Sequence, residues 1–189
     1  MKDHSADTKI ITADNVFDIN RLGISDSYEA GKSITLGLDY KFDLIEKDTK
    51  QNLDIKDRFL EFKLATVLRD KVENNIPTSS TIDRKNSNLF GSINNNLFEN
   101  INFGYDFSID NDLESFDSQS FNTEISVNNF LTTFDFIEQN SKLGETHVLS
   151  NTTQYKIDEN NFIKFSTRRN KTINLTEYYN LSYEYKNDC

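Results

Sequence analysis

The sequence predicts an all-β chain, an antiparallel up-and-down meander of about nine strands that forms an incomplete segment of a transmembrane β-barrel. Three observations carry this. The stretch Ile101-Asn102-Phe103-Gly104-Tyr105-Asp106-Phe107-Ser108-Ile109 places a large apolar residue at every odd position and a small or polar one at every even position. Similar alternations recur along the chain between polar turns. Phe 15 and Tyr 8 against Trp 0 and Pro 1 describe a composition suited to sheets, because aromatics favour strands and proline is excluded from sheet interiors.

A strand sends successive side chains to opposite faces, so 101–109 has one greasy face and one wet face. In a soluble sandwich the greasy face packs on a second sheet; in an outer-membrane barrel it meets lipid while the wet face lines the lumen. Repetition at lengths near the roughly 9–11 residues of a tilted spanning strand favours the barrel.

In chain order, residues 1–14 are polar and read as a poorly ordered approach to a barrel domain at 15–189. Residues 15–31 follow neither period; their spaced Asn, Asp, Gly and Arg predict a loop held by side-chain hydrogen bonds. Residues 33–43 form the first strand, with Ile34, Leu36, Leu38, Tyr40 and Phe42 on one face. A charged connection at 44–57 leads to a strand at 58–69. Residues 70–86 contain the sole proline, Pro77, and read as a surface loop longer than compact domains usually carry without function.

A weaker strand at 88–97 turns through Phe98-Glu99-Asn100 into 101–109. Strands follow at 119–127, 130–138, 146–157, 162–169 and 178–186, joined through 110–118, 128–129, 139–145, 158–161 and 170–177. The connections at 98–100, 128–129 and 158–161 are short and share one rim. The others, apart from 44–57, are longer and share the opposite rim, as in barrels with short periplasmic turns and long extracellular loops.

At 35% hydrophobic residues and a mean hydropathy of -0.67 the chain is no bundle of membrane helices, since no run approaches the roughly 18 apolar residues each would need. A net charge of -10 and the absence of a basic stripe exclude a nucleic-acid binder. The start, Met1-Lys2-Asp3-His4-Ser5, carries no apolar stretch behind its basic residue and does not read as a secretory signal.

The run Asn15-Val16-Phe17-Asp18-Ile19-Asn20-Arg21-Leu22-Gly23, continuing through Asp26, Glu29 and Gly31 into a strand, resembles the N-x-F-x-x-N-R region in the carboxy-terminal barrel of the LPS-assembly outer-membrane family LptD. Leu68-Arg69-Asp70-Lys71, Pro77-Thr78-Ser79-Ser80, Ser87-Asn88-Leu89-Phe90-Gly91 and 175–185 extend the resemblance over most of 10–189. It implies lipopolysaccharide transport and assembly at the Gram-negative cell outer membrane, by a barrel that works with an LptE-like plug lipoprotein and periplasmic LPS bridge proteins. Against the family's pattern, with its signal peptide, jellyroll domain and closing strand, the chain reads as an internal fragment. Family members carry cysteines near the place of Cys189 that pair with the amino-terminal region, which makes Cys189 a candidate for an interdomain disulfide; the other reading is a lone thiol.

No catalytic constellation and no metal spacing is legible around His4 or His147, so no enzyme and no cofactor is expected. Asn20 and Arg21 are placed to brace the first loop through Asp26 or Glu29. The candidate lumen-facing residues are Asn102, Asp106, Glu124, Asn180 and Glu184; the candidate lipid-facing residues are Ile101, Phe103, Tyr105, Phe107 and Ile109. The rival readings are another outer-membrane barrel, such as a porin or receptor, and a soluble β-sandwich adhesin or carbohydrate-binding module.

Overall fold

Period-two alternation interrupted by Asn- and Gly-bearing turns folds into a single antiparallel sheet. The computed structural model describes residues 3–23, 29–47, 54–141 and 144–186. The strands are β1 (Ser33–Lys47), β2 (Asp54–Arg69), β3 (Leu89–Phe98), β4 (Ile101–Ile109), β5 (Phe116–Val127), β6 (Phe130–Ser141), β7 (Gly144–Lys156), β8 (Asn161–Asn170) and β9 (Leu175–Tyr185). They form one nine-stranded sheet in sequence order. The sandwich alternative needs a second sheet, and none is present among the described residues.

Turn chemistry explains the tight reversals. Val127 pairs directly with Phe130, and Asn128 between them takes φ 52°, a left-handed conformation that asparagine tolerates better than most residues and that two-residue hairpins require. At 157–160 the Asp158 carboxylate accepts from the Asn160 and Asn161 amides, both at 3.0 Å.

The connection expected at 44–57 is shorter than its charge suggested. Strand β1 runs on to Lys47 and β2 begins at Asp54, with Leu44 opposite Arg58. Much of the charged stretch belongs to the ladder, in whose register Glu46 is the partner of Lys56 and Lys47 that of Asp54. Because β2 meets β3 only from Leu60 to Ala65, the far halves of β1 and β2 form a two-stranded ribbon beyond the rest of the sheet. Arg58 ties it to Glu99 of the neighbouring turn.

The expected contrast in connection length is also reduced. Only 142–143 separates β6 from β7, and 171–174 separates β8 from β9, because polar residues expected in loops there occupy strand positions. The 70–88 segment remains long.

Residues 3–14, expected as a poorly ordered approach, are hydrogen-bonded to the 70–88 segment. The Thr78 amide donates to Ser5 O at 3.3 Å, the His4 amide to Asn75 O at 3.1 Å, and the Lys9 amide to Ser79 Oγ at 2.8 Å. Ile11, Ala13, Val16 and Leu22 share a buried cluster with Ala65, Val67, Ile76, Ile82 and Phe90. This cluster, formed by 3–23, the 70–88 segment and one end of the sheet, is the fold's main apolar core. Ile11 and Val16 escaped the expectation because the other members of their cluster lie some sixty residues away (Ile76 for Val16, for instance) and leave no local period.

Candidate functional site

Directly opposite residues in an antiparallel pair share a face, so the register divides the sheet into two continuous surfaces. Asn102 faces Glu124 and Asp106 faces Ser120; Glu124 faces Thr133, Thr133 faces Thr152, Thr152 faces Ser166 and Ser166 faces Asn180, with Glu184 opposite Phe162. Asn102, Asp106, Glu124, Asn180 and Glu184 therefore lie on one polar face. Ile101, Phe103, Tyr105, Phe107 and Ile109 lie on the other, with Leu60, Phe121, Leu149, Phe165 and Leu181.

The apolar face is bare. Tyr179 and Leu181 are each 72% exposed and Leu38 is 58% exposed, and no layer of the described chain covers them. Soluble monomers rarely expose contiguous apolar patches beyond a few hundred Å², so this surface is built to be covered by something other than water. Toward the 142–143 end the same face becomes polar: the Tyr105 hydroxyl donates to Gln119 Oε1 at 3.0 Å, Gln119 Nε2 donates to Glu138, and His147 Nε2 lies 3.1 Å from Glu138. The apolar band thus ends in a polar margin.

The motif loop lies on the polar face. Asn15 closes its first turn, accepting from the Thr12 amide at 2.9 Å. Phe17 covers Gly37 of β1. Gly23 and Gly31 take φ +63° and +80°, where side chains are strained, and Gly31 also lies against Glu73. The Asp14 carboxylate accepts from Lys63 Nζ of β2 at 2.7 Å.

Arg21 and Glu29 meet as expected. Arg21 Nε donates to Glu29 Oε2 at 2.6 Å, and its Nη1 donates to Val16 O at 3.2 Å and Thr35 Oγ1 at 2.8 Å. Burial lowers the Arg21 pKa from its ordinary value, yet a guanidinium stays charged throughout the physiological range. Glu29 also accepts from Arg69 at the end of β2, and Arg69 Nη1 donates to Ala30 O at 2.8 Å. One carboxylate thus clasps two buried guanidinium groups from different segments.

Arg69 entered the sequence reading only within the run Leu68-Arg69-Asp70-Lys71, and Gly37 was given no role there. Glu29, the partner of Arg69, lies forty residues away in the chain and is brought to it by the fold. Asn20 is exposed on the loop, its carbonyl accepting from the Gly23 amide at 2.9 Å. Asp26 and Cys189 lie outside the described residues. His4 is bonded to Asp7 at 2.7 Å; no group of three or more metal-ligating side chains occurs among the described residues.

A family model described as "LptD: LPS transport system D" matches residues 6–145. No curated protein matches the chain. The matched span contains the motif loop, the Arg21–Glu29–Arg69 clasp and the first six strands whole.

Proposed function

Because the chain belongs to the LptD family of lipopolysaccharide transport, we propose that its sheet is a stretch of the barrel wall along which lipopolysaccharide passes to the outer leaflet. The function is lipopolysaccharide transport and assembly at the outer membrane. In this reading Ile101, Phe103, Tyr105, Phe107 and Ile109 face lipid, and Asn102, Asp106, Glu124, Asn180 and Glu184 line the lumen.

The separation of a bare, mainly apolar face from a mainly polar face across nine strands carries the reading. Every backbone group inside a bilayer must be satisfied, which an antiparallel wall achieves once its edge strands β1 and β9 are paired. Its wet face offers carboxylates, amides and hydroxyls to a sugar headgroup, while acyl chains keep to the apolar side. The wall guides and excludes; it makes and breaks no bonds.

An LptE-like plug lipoprotein fits the part of the polar face left open by the motif loop. Periplasmic bridge proteins then approach the rim of the 99–100 and 128–129 turns, where the β1–β2 ribbon projects. Strand β9 runs toward that rim, and an oxidising periplasm suits the interdomain disulfide that the family resemblance implies for Cys189.

Spin labels placed singly along 101–109 in lipid test the reading. Odd positions are expected to meet an apolar quencher and even positions a water-soluble one. Shielding of both sets from both quenchers would place the apolar face in an internal core and end the wall reading.

A further inference from the structure

Where residues 5–11 cross the polar face they roof a cavity of about 190 Å³. Its lining includes Arg84, Phe90, Ser108, Asp117, Ser118 and Gln139, with further hydroxyls from the 78–81 turn. The site is built from distant segments: the approach, the long loop and the polar faces of β3 to β6. This is below the ~300–1,000 Å³ of sites for drug-sized ligands. It is on the scale of a single ring.

The walls are held in place by a buried group. Asn88, with no exposed surface, donates through Nδ2 to Ser108 Oγ at 2.9 Å and to Asp117 Oδ2 at 2.6 Å. Its Oδ1 is left buried without a hydrogen-bond partner among the described residues, a cost incurred by aiming the amide hydrogens at the cavity wall.

The lining matches one chemical class. Hydroxyls both donate and accept, amides offer both functions, and Asp117 and Arg84 add a strong acceptor and a strong donor. Ile10, which lines the cavity and is 43% exposed, supplies an apolar surface. A pyranose has this complementary character, with hydroxyls around its edge and C–H groups on its faces. The cavity also lies at the end of the sheet that carries the 70–88 loop, away from the rim of short turns.

We propose that this cavity docks a single sugar ring of the lipopolysaccharide headgroup on its way out. The inference rests on the export reading, from which the source of the sugar follows, whereas the cavity's chemistry points only to a sugar ring.

The test is calorimetric titration of the full-length protein in detergent with core oligosaccharide freed from lipid A by mild acid. Maltotriose serves as an unrelated sugar and intact lipopolysaccharide as the control. Saturable binding of the core oligosaccharide is expected, weakened at least about tenfold by Ser118→Phe, which fills the cavity, and by Gln139→Leu, which removes an amide without adding bulk; tenfold corresponds to about 1.4 kcal/mol. Unchanged binding in both variants, or equal binding of maltotriose, overturns the proposal. Binding of intact lipopolysaccharide without the oligosaccharide overturns the proposal alone, and binding of neither overturns the export reading with it.

Discussion

The ring of Phe17 lies over Gly37, where an added Cβ would collide with ring carbons and come within 3.0 Å of the Leu64 carbonyl oxygen. A phenylalanine of the motif loop and a glycine of the first strand are thus a matched pair: the absent side chain is the seat for the ring. Gly37→Ala is expected to lift the loop off β1, with a cost of about 1–3 kcal/mol typical of overpacking. Amide exchange at Val16, Asp18 and Gly23 reads the change. Undiminished protection there would show that the ring does not depend on the bare glycine.

Glu29→Ala removes the carboxylate shared by Arg21 and Arg69, whose side chains are 7% and 0% exposed. Stranding buried charge costs about 3–5 kcal/mol when one partner of a buried pair is lost, and the 18% exposure of Glu29 puts the expected loss toward the lower end. Denaturant unfolding in detergent, with protease cleavage in 15–31 as a local readout, measures it. Glu29→Gln keeps an acceptor and is expected to cost less; equal losses would mean that charge is not what the clasp uses.

The two faces make opposite predictions for the same substitution. Phe103→Arg on the apolar face is expected to destabilise the protein in lipid by about 2–4 kcal/mol, the range for a cation near the bilayer midplane. Asn122→Arg on the polar face is expected to change stability by less than about 1 kcal/mol, as is usual for wet surfaces. Equal costs, measured by unfolding from vesicles, would remove the basis for assigning one face to lipid.

The 157–160 turn is expected to loosen in acid. The Asn161 side-chain amide, followed by the Asn160 backbone amide, holds the Asp158 carboxyl below its ordinary pKa. A carboxylate depressed on folding contributes stability that is fully present above the unfolded value of about 3.9 and is lost as pH falls through the lower folded value. Amide exchange at Asn160 and Asn161, corrected for the intrinsic pH dependence, is expected to quicken below that range. In Asp158→Ala it is expected to be fast at every pH. Constant protection in the native protein down to pH 2 would contradict the assignment.

The strands were legible wherever a face was purely apolar. Ile101–Ile109 has in the structure the bounds its alternation gave it. The ends of β1 and β2 were obscured because charges that pair across a ladder resemble a charged loop, and those of β6 and β7 because a wet face of Asn, Gln and Thr has the composition of a turn. The Arg21–Glu29 contact, spanning eight residues, was within reach of sequence reasoning. The Arg69 contact, the seat at Gly37 and the cavity beneath residues 5–11 were not, since each joins segments tens of residues apart and local periodicity carries no record of its distant partner.

Each strand pairs only with its neighbours in the chain, so most of the sheet closes over short loops whose entropic cost is small. The contacts of Ser5 with Thr78 and of Glu29 with Arg69 instead bridge 73 and 40 residues. Hairpins can therefore be added in order of synthesis, each leaving a live edge for the next, while the strap of residues 3–23 and 29–31 can lock only after β2 and the 70–88 loop are in place. The clasp is thereby a checkpoint in time as well as a fastening in space: a wall whose first hairpin is out of register has nothing for Glu29 to grip, and its amino-terminal strap stays open to proteolysis.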